Sequence, residues 1–184
     1  MAPRLTLGLA GMLTFGAAAL EAQTPPDQQI AQAVAAAPER MQADATVLGY
    51  KDGKLVTLRQ GTGLLVCLAD DPKEPGHHVS CYHKDLEPFM SRGRELRAQG
   101  LKAPAIESTR LAEIKSGKLK FPSQPTTLYQ LITQKDDPAQ ARPMYVMYIP
   151  YATPESTGLS TRPLEHGPWL MYPGMPWSHV MIVP

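Results

Sequence analysis

The chain is poor in the features that usually identify a protein from its sequence. Its 184 residues contain two cysteines, and the formal net charge is +1 at pH 7. A near-neutral balance gives no general attraction to nucleic acid or to an anionic membrane surface. After the N-terminal region, no apolar run approaches the length that crosses a bilayer. We therefore expect neither a nucleic-acid partner nor a membrane span in the mature protein.

Motifs that carry enzyme chemistry are also missing. The run Gly61-Thr62-Gly63 lacks the third glycine of a dinucleotide-binding loop. The segment GLSTR around Ser160 departs from the G-x-S-x-G nucleophile motif at its last position. No S-x-x-K, H-E-x-x-H or C-x-x-C-H occurs, so no cofactor is indicated. A catalytic triad assembled from distant residues stays open, because such groups meet in space rather than in sequence.

The N-terminus has the pattern of a secretory signal peptide. Arg4 precedes an apolar run from Leu5 to Leu20, and small residues follow. Signal peptidase needs small side chains before the cut, which favours cleavage after Ala22, with Ala19 as the alternative. No cysteine lies near the cut to accept a lipid. We predict that residues 1–22 are removed and that the protein is exported to the periplasm or the extracellular space.

The remaining chain is long enough for one domain. Residues 23–43 are polar and then Ala-rich, which predicts a mobile N-terminal arm with a marginal helix. The domain proper is predicted to span residues 44–184. Proline is the residue type in excess, with 19 copies, so the connections are expected to be numerous and stiff.

The hydrophobic patterns predict strands at both ends of this domain and helices between them. The Asp52-Gly53 turn signal between two β-rich runs predicts a hairpin, which a third run from Leu64 to Leu68 would extend into a meander. Helical spacing predicts a helix between Asp85 and Gly100 and a second one from Ser108 to Ser116. The later β-rich runs are TTLYQLIT, MYVMYI, WLMY and HVMIV. This order predicts an α+β fold, with a single antiparallel sheet and two or so helices packed on one face.

Cys67 and Cys81 are expected to form a disulfide, since both follow the predicted signal and an exported protein meets an oxidising environment. Two free thiols or two metal ligands are the alternatives. The segment HHVSCYH begins within a predicted loop from Ala69 to Ser80 and carries His77, His78 and His83, which are potential ligands for Zn²⁺ or Cu²⁺. A disulfide would remove the thiolates from such a site, and the spacing matches no established metal motif. We therefore predict no metal site.

Three segments, LKFPSQPTTLYQLIT, YIPYATPESTGL and GPWLMYPGMPWSHVMIVP, are distinctive in combination. They resemble a family of small exported bacterial proteins of unknown function, and the resemblance extends over most of the mature chain. It implies export and a single domain. It implies no activity, cofactor or catalytic residue.

The C-terminal third is where the sequence favours a binding site. Tyr148, Tyr151, Glu155, Trp169 and His179 combine aromatic surface with one carboxylate and one imidazole, in segments stiffened by prolines. Such a mixture suits a pocket for a small ligand. The alternative is a Pro-rich turn with Glu155 in water. We predict a non-catalytic envelope protein that binds a small molecule or a protein partner. The alternatives are an extracytoplasmic hydrolase-like enzyme and a metal-binding module.

Overall fold

The computed structural model of the protein describes residues 24–135, 137–164 and 166–184. The predicted signal peptide lies outside the described residues. Eight strands form one sheet in the order β2-β1-β3-β4-β5-β6-β8-β7. The strands are β1 Thr46–Lys51, β2 Lys54–Arg59, β3 Leu65–Leu68, β4 His77–His83, β5 Thr126–Thr133, β6 Arg142–Tyr148, β7 Trp169–Met171 and β8 His179–Ile182. The helices are α1 Pro26–Val34, α2 Glu39–Gln42, α3 Glu87–Ala98, α4 Ala103–Lys115 and α5 Pro154–Thr157. The predicted α+β class is confirmed.

The sheet is mixed, so the prediction of a purely antiparallel sheet was wrong. The Asp52-Gly53 hairpin is confirmed, and both turn residues have positive φ (52° and 71°). However, β3 does not extend a meander, because it pairs parallel to β1 instead of pairing with β2. The connection crosses the start of β1 so closely that a Cβ on Gly61 would lie 2.2 Å from the carbonyl oxygen of Asp44. Glycine is required at this crossing.

The histidine-rich segment is a central strand of the sheet and not the predicted loop. β4 lies between β3 and β5 and pairs antiparallel with both. Cys67 and Cys81 stand directly opposite each other on β3 and β4 and form a disulfide, as predicted. Both cysteines are fully buried.

Alternating residues of the strands enter different cores, which places helices on both faces of the sheet. In β3, Leu65 and Cys67 pack in one cluster with Ala33 of α1. Val66 packs in another cluster with Phe89 of α3. The prediction of helices on one face was therefore wrong, because period-two alternation within a strand buries both faces when each has a cover.

The segment predicted to be a mobile arm contributes a buried helix. α1 packs on β1, β3 and β4. Gln29 is buried, and its amide accepts a hydrogen bond from Tyr50 N (2.7 Å) and donates one to Tyr50 O (2.9 Å). Because β3 pairs with β1 only as far as Leu48, the Gln29 amide replaces a neighbouring strand at Tyr50. From Pro26 onward, this segment belongs to the fold.

The predicted central helices are confirmed, with one change of boundary. The first is α3, which a 3₁₀ turn over Lys84–Leu86 precedes. The second, α4, begins at Ala103, upstream of the predicted start at Ser108. Pro104 lies in its first turn, where the missing N–H of a proline costs no hydrogen bond. Within the described ranges, we find no helix that has both the length and the apolarity to span a membrane.

Candidate functional site

One row of residues crosses four strands at the end of the sheet where β5 and β8 begin and β6 and β7 end. Thr126 pairs with Tyr148, Tyr148 with His179, and His179 with Met171. Residues paired in this way lie side by side on one face. That face is the one that α3 and α4 cover, because Tyr148 packs in the same cluster as Phe89. We call these four residues, Thr126, Tyr148, His179 and Met171, the terminal row.

His179 presents a neutral imidazole to this face. Its Nδ1 lies 2.8 Å from the carbonyl oxygen of Trp177. A carbonyl only accepts hydrogen bonds, so Nδ1 carries the proton and Nε2 keeps its lone pair. Burial lowers the pKa of His179 below 6.5, and the bond to the Trp177 carbonyl opposes this shift. The ring also contacts Tyr148, with 5.0 Å between the ring centroids.

Arg110 of α4 covers the same face from above. Its guanidinium carbon lies 3.8 Å from the centroid of the Phe89 ring and 5.9 Å from that of Trp177. A Cβ on Gly93 would approach Arg110 Nη1 to 3.0 Å, so the glycine of α3 leaves room for the guanidinium. Burial lowers the pKa of Arg110 from its ordinary value. The arginine is therefore held in a defined place between two helices and an aromatic surface.

Two buried polar side-chain atoms in this part of the structure lack hydrogen-bond partners. Arg110 Nε and Thr126 Oγ1 are the two buried side-chain polar atoms, among the residues the structure describes, that lack a hydrogen-bond partner. Thr126 is the cross-strand neighbour of Tyr148, and the Tyr148 ring is buried. Native proteins satisfy nearly all such atoms, so an exception calls for a specific explanation.

Tyr172 connects this region to a groove on the surface. Its hydroxyl donates to Glu107 Oε1 of α4 at 2.8 Å, and its ring lies 5.8 Å from that of His179. The same tyrosine lines a groove of about 260 Å³, together with Trp169, Met171, Thr161, Pro163, Leu170 and Pro173. The groove is mainly apolar and reaches the terminal row through Met171.

A larger depression of about 540 Å³ lies at the opposite end of β5 and β6. Lys135 Nζ donates there to Gln140 Oε1 at 2.6 Å, and the polar groups of this surface bond to each other. We place the candidate site at the terminal row, where Thr126 Oγ1 lacks a partner, and at the smaller groove that adjoins the row at Met171.

The structure brings together three of the five residues predicted to bind a ligand. Tyr148 and His179 are neighbours in the terminal row. Trp169 pairs with Met181, whose partner on β6 is Val146, so it lies on the same face as the row and lines the groove.

Tyr151 and Glu155 belong neither to the terminal row nor to the lining of the groove. They flank Ala152, which packs with Leu170 and Val180, residues that face the opposite side of the sheet. Tyr151 is 61% exposed and has a φ of 61°. A hydrogen bond from the Thr153 hydroxyl lowers the pKa of the exposed Glu155. For these two residues, the alternative of a Pro-rich turn with Glu155 in water describes the local structure.

Several residues of the site carried no signal in the sequence. Arg110 is an ordinary helix residue by type and spacing, and Thr126 reads as the first residue of a strand. Tyr172 ends the predicted β-rich run WLMY, and Trp177 stands in the predicted loop that follows it. A search for aromatic residues around that loop would have found them, but nothing in the sequence connects them with α4.

The histidines of β4 have structural partners. Buried His77 places Nδ1 3.2 Å from Asp70 Oδ2, and His78 Nε2 lies 2.9 Å from Gln130 Nε2. Within the described parts of the chain, no three His, Cys, Asp or Glu side chains are grouped to hold a metal ion. Both cysteine sulfurs are bonded to each other.

Comparison with known proteins adds no relative. A scan against protein-family models, a search of curated proteins and a search of solved structures each gave no match. The site defines a class only in general terms, that of an α+β domain with an aromatic and partly polar surface at one end of its sheet.

Proposed function

We propose that this chain is a non-catalytic exported protein that binds a small organic ligand at the terminal row and the adjoining groove. One observation carries the proposal: Arg110 Nε and Thr126 Oγ1 are the buried side-chain atoms without a partner in the described ranges, and both residues act on Tyr148, Thr126 as its cross-strand neighbour and Arg110 through its charge. Aromatic walls with a few convergent polar groups are typical of small-molecule sites.

The geometry of His179 supports binding rather than acid–base catalysis. In hydrolase triads a carboxylate orients the histidine and stabilises its charged form. Here Nδ1 bonds to a backbone carbonyl, and burial favours the neutral ring. The free Nε2 lone pair is then available to accept a hydrogen bond from a ligand.

The test is to recover the protein from its native compartment, unfold it and identify small molecules in the extract by mass spectrometry. A compound should be present in stoichiometric amount in the natural protein and depleted in the His179→Ala and Tyr172→Ala variants. Glu155→Gln is the matched control, because Glu155 lies apart from the row, and it should retain the compound. Retention by both site variants, together with loss from Glu155→Gln, would place binding elsewhere.

Export is part of the same proposal and has its own test. The apolar run from Leu5 to Leu20 supports cleavage after Ala22 or Ala19. The intact mass of protein recovered from the cell envelope should correspond to one of these two cuts. Recovery of the full-length chain from the cytosol would contradict the export of this protein.

A further inference from the structure

Three arginines of α3 and α4 are partly buried, and they differ in their partners. Arg92 bonds to Glu113 through Nε (2.9 Å) and Nη2 (2.7 Å). Arg94 donates to Glu87 (2.6 Å) and to the Tyr82 hydroxyl (3.0 Å). Arg110 forms no ion pair with a described residue, and its one hydrogen bond is a long contact of 3.4 Å from Nη1 to the carbonyl oxygen of Phe89.

The difference matters because a guanidinium removed from water needs compensation. A desolvated charge is costly unless an opposite charge or several hydrogen bonds replace its water. Arg92 and Arg94 each have a carboxylate for this purpose. Arg110 has the faces of Phe89 and Trp177, which offer no acceptor to its Nε–H, and this donor is left without a partner among the described residues.

We propose that Arg110 is the anchor for the carboxylate of an aromatic or apolar carboxylic acid bound at the terminal row. This inference rests on the proposed function, and it adds the chemical class of the ligand. A guanidinium presents two parallel N–H donors that match the two oxygens of a carboxylate. The hydroxyls of Thr126 and Tyr148, on the same face, supply further hydrogen-bond capacity for that group.

The charges around Arg110 favour a monoanion over a phosphate. Glu107, one turn away on α4, acts electrostatically on Arg110, and its carboxylate accepts the Tyr172 hydroxyl. A doubly charged phosphate would be repelled by Glu107 while meeting a single stacked guanidinium. The apolar groove bordered by Tyr172, Trp169 and Met171 provides the surface for the uncharged body of the acid.

The experiment is an NMR titration of the folded, disulfide-bonded mature protein with benzoate, benzamide and inorganic phosphate, each at constant ionic strength. Benzoate and benzamide have the same ring and differ in charge. Benzoate should shift the Arg110 Nε–Hε resonance and the His179 ring resonances. Benzamide should bind at least about tenfold more weakly, since a hydrogen bond to a charged group contributes about 1.5–3 kcal/mol.

Two variants and one control separate an effect on ligand binding from an effect on folding. Arg110→Gln should weaken benzoate binding about tenfold or more and leave benzamide binding unchanged. Gly93→Ala retains the arginine and favours the helix, but its methyl group displaces the guanidinium, so it should also weaken benzoate binding. Arg97→Gln removes a neighbouring exposed charge of the same sign and should change benzoate binding by less than about twofold, as expected of a screened surface charge.

The outcomes distinguish the inference from the proposed function. If benzoate and benzamide bind equally at the groove and Arg110→Gln affects neither, the carboxylate anchor is wrong and the binding site remains. A stronger response of Arg110 to phosphate than to benzoate would also overturn the assignment. If none of the probes shifts the terminal row and the native protein carries no compound, both proposals fail.

Discussion

The two halves of the sheet differ in how their polar groups are hydrogen-bonded. In the half built from β1, β3 and β4, the Gln29 amide bonds to both backbone groups of Tyr50 and His77 contacts Asp70. In the half built from β5, β6, β7 and β8, Thr126 Oγ1 lacks a partner within the described residues, and so does Arg110 Nε on the helix that covers it. The first half also contains the buried disulfide, whereas the second is bordered by a groove.

Under the proposed function, the first half of the sheet serves stability and the second serves binding. Satisfied polar groups and a cross-link hold a fold in one arrangement. Unsatisfied donors near aromatic surface lower stability, so their presence is more readily explained by a ligand that completes them. The predictions below test this division, beginning with the largest expected effect.

Removing the disulfide should have the largest effect on stability. The double variant Cys67→Ala/Cys81→Ala should lower the free energy of unfolding by about 3 kcal/mol, since closure of a loop of this size constrains the unfolded chain. Urea unfolding measures the change. Benzoate binding to the folded variant should persist, because the cysteines pack in the cluster with Ala33 on one face of the sheet and Tyr148 packs with Phe89 on the other. An unchanged unfolding midpoint would show that the disulfide does not stabilise the half of the sheet that contains it.

Gln29→Ala should lower the free energy of unfolding by about 2 kcal/mol. The substitution removes the two hydrogen bonds that Gln29 forms with the backbone of Tyr50, and a net contribution of about 1 kcal/mol per hydrogen bond gives this figure. Gln28→Ala, at an exposed position of α1, is the matched control and should have little effect. Equal stability of the two variants in urea would restore the original expectation of a mobile arm.

Substitution of Arg94, which has an ion pair, and of Arg110, which has none with a described residue, should have opposite effects on stability and on binding. Arg94→Gln removes the ion pair with Glu87 and the hydrogen bond to the Tyr82 hydroxyl, while Tyr82 still donates to Glu87, and it should cost about 1.5 kcal/mol of stability without changing benzoate binding. Arg110→Gln should cost less stability and weaken benzoate binding. Thermal unfolding and the NMR titration together make the comparison. If Arg110→Gln were the more destabilising of the two, its stacking on Phe89 would be its main role.

The smallest expected effect is the pH dependence that His179 contributes. Its pKa in the folded protein should lie below the ordinary 6.5, because burial disfavours the charged ring. The unfolded chain then binds a proton more readily, so the stabilisation is full above pH 6.5 and is lost as the pH falls through the folded pKa. The His179 ring resonance, followed between about pH 5 and about pH 8 in the folded and the urea-unfolded protein, gives both values. A folded pKa at or above the unfolded one would contradict the burial of this ring.

Predictions that rest on short stretches of sequence were correct for β5 and for the hairpin of β1 and β2. The alternation in TTLYQLIT predicted β5 with the bounds that the structure has. The Asp52-Gly53 pair predicted its hairpin because both residues tolerate positive φ. β4 was missed because its histidines obscured the alternation of His77, Val79 and Cys81, the three residues of the strand that reach the same core.

Two of the four residues of the terminal row were predicted from the sequence. Tyr148 and His179 were predicted to work together, and the register of β6 and β8 makes them neighbours. Tyr151 and Glu155 were grouped with them because they are close in sequence, yet both are exposed after the end of β6 and lie outside the terminal row. Arg110 was not foreseen, because a helix pattern specifies a face and not the strand that the face will meet.

The sequence by itself determined the strands other than β4, the two central helices, the two cysteines able to pair and the supply of aromatic residues in the last third. These are properties of local backbone preference and composition. The tertiary structure alone decided the parallel pairing of β1 and β3, the helices on both faces and the meeting of Arg110 with the terminal row. Such arrangements depend on contacts between residues distant in the chain, whose free energy comes from burial and packing that no local pattern encodes.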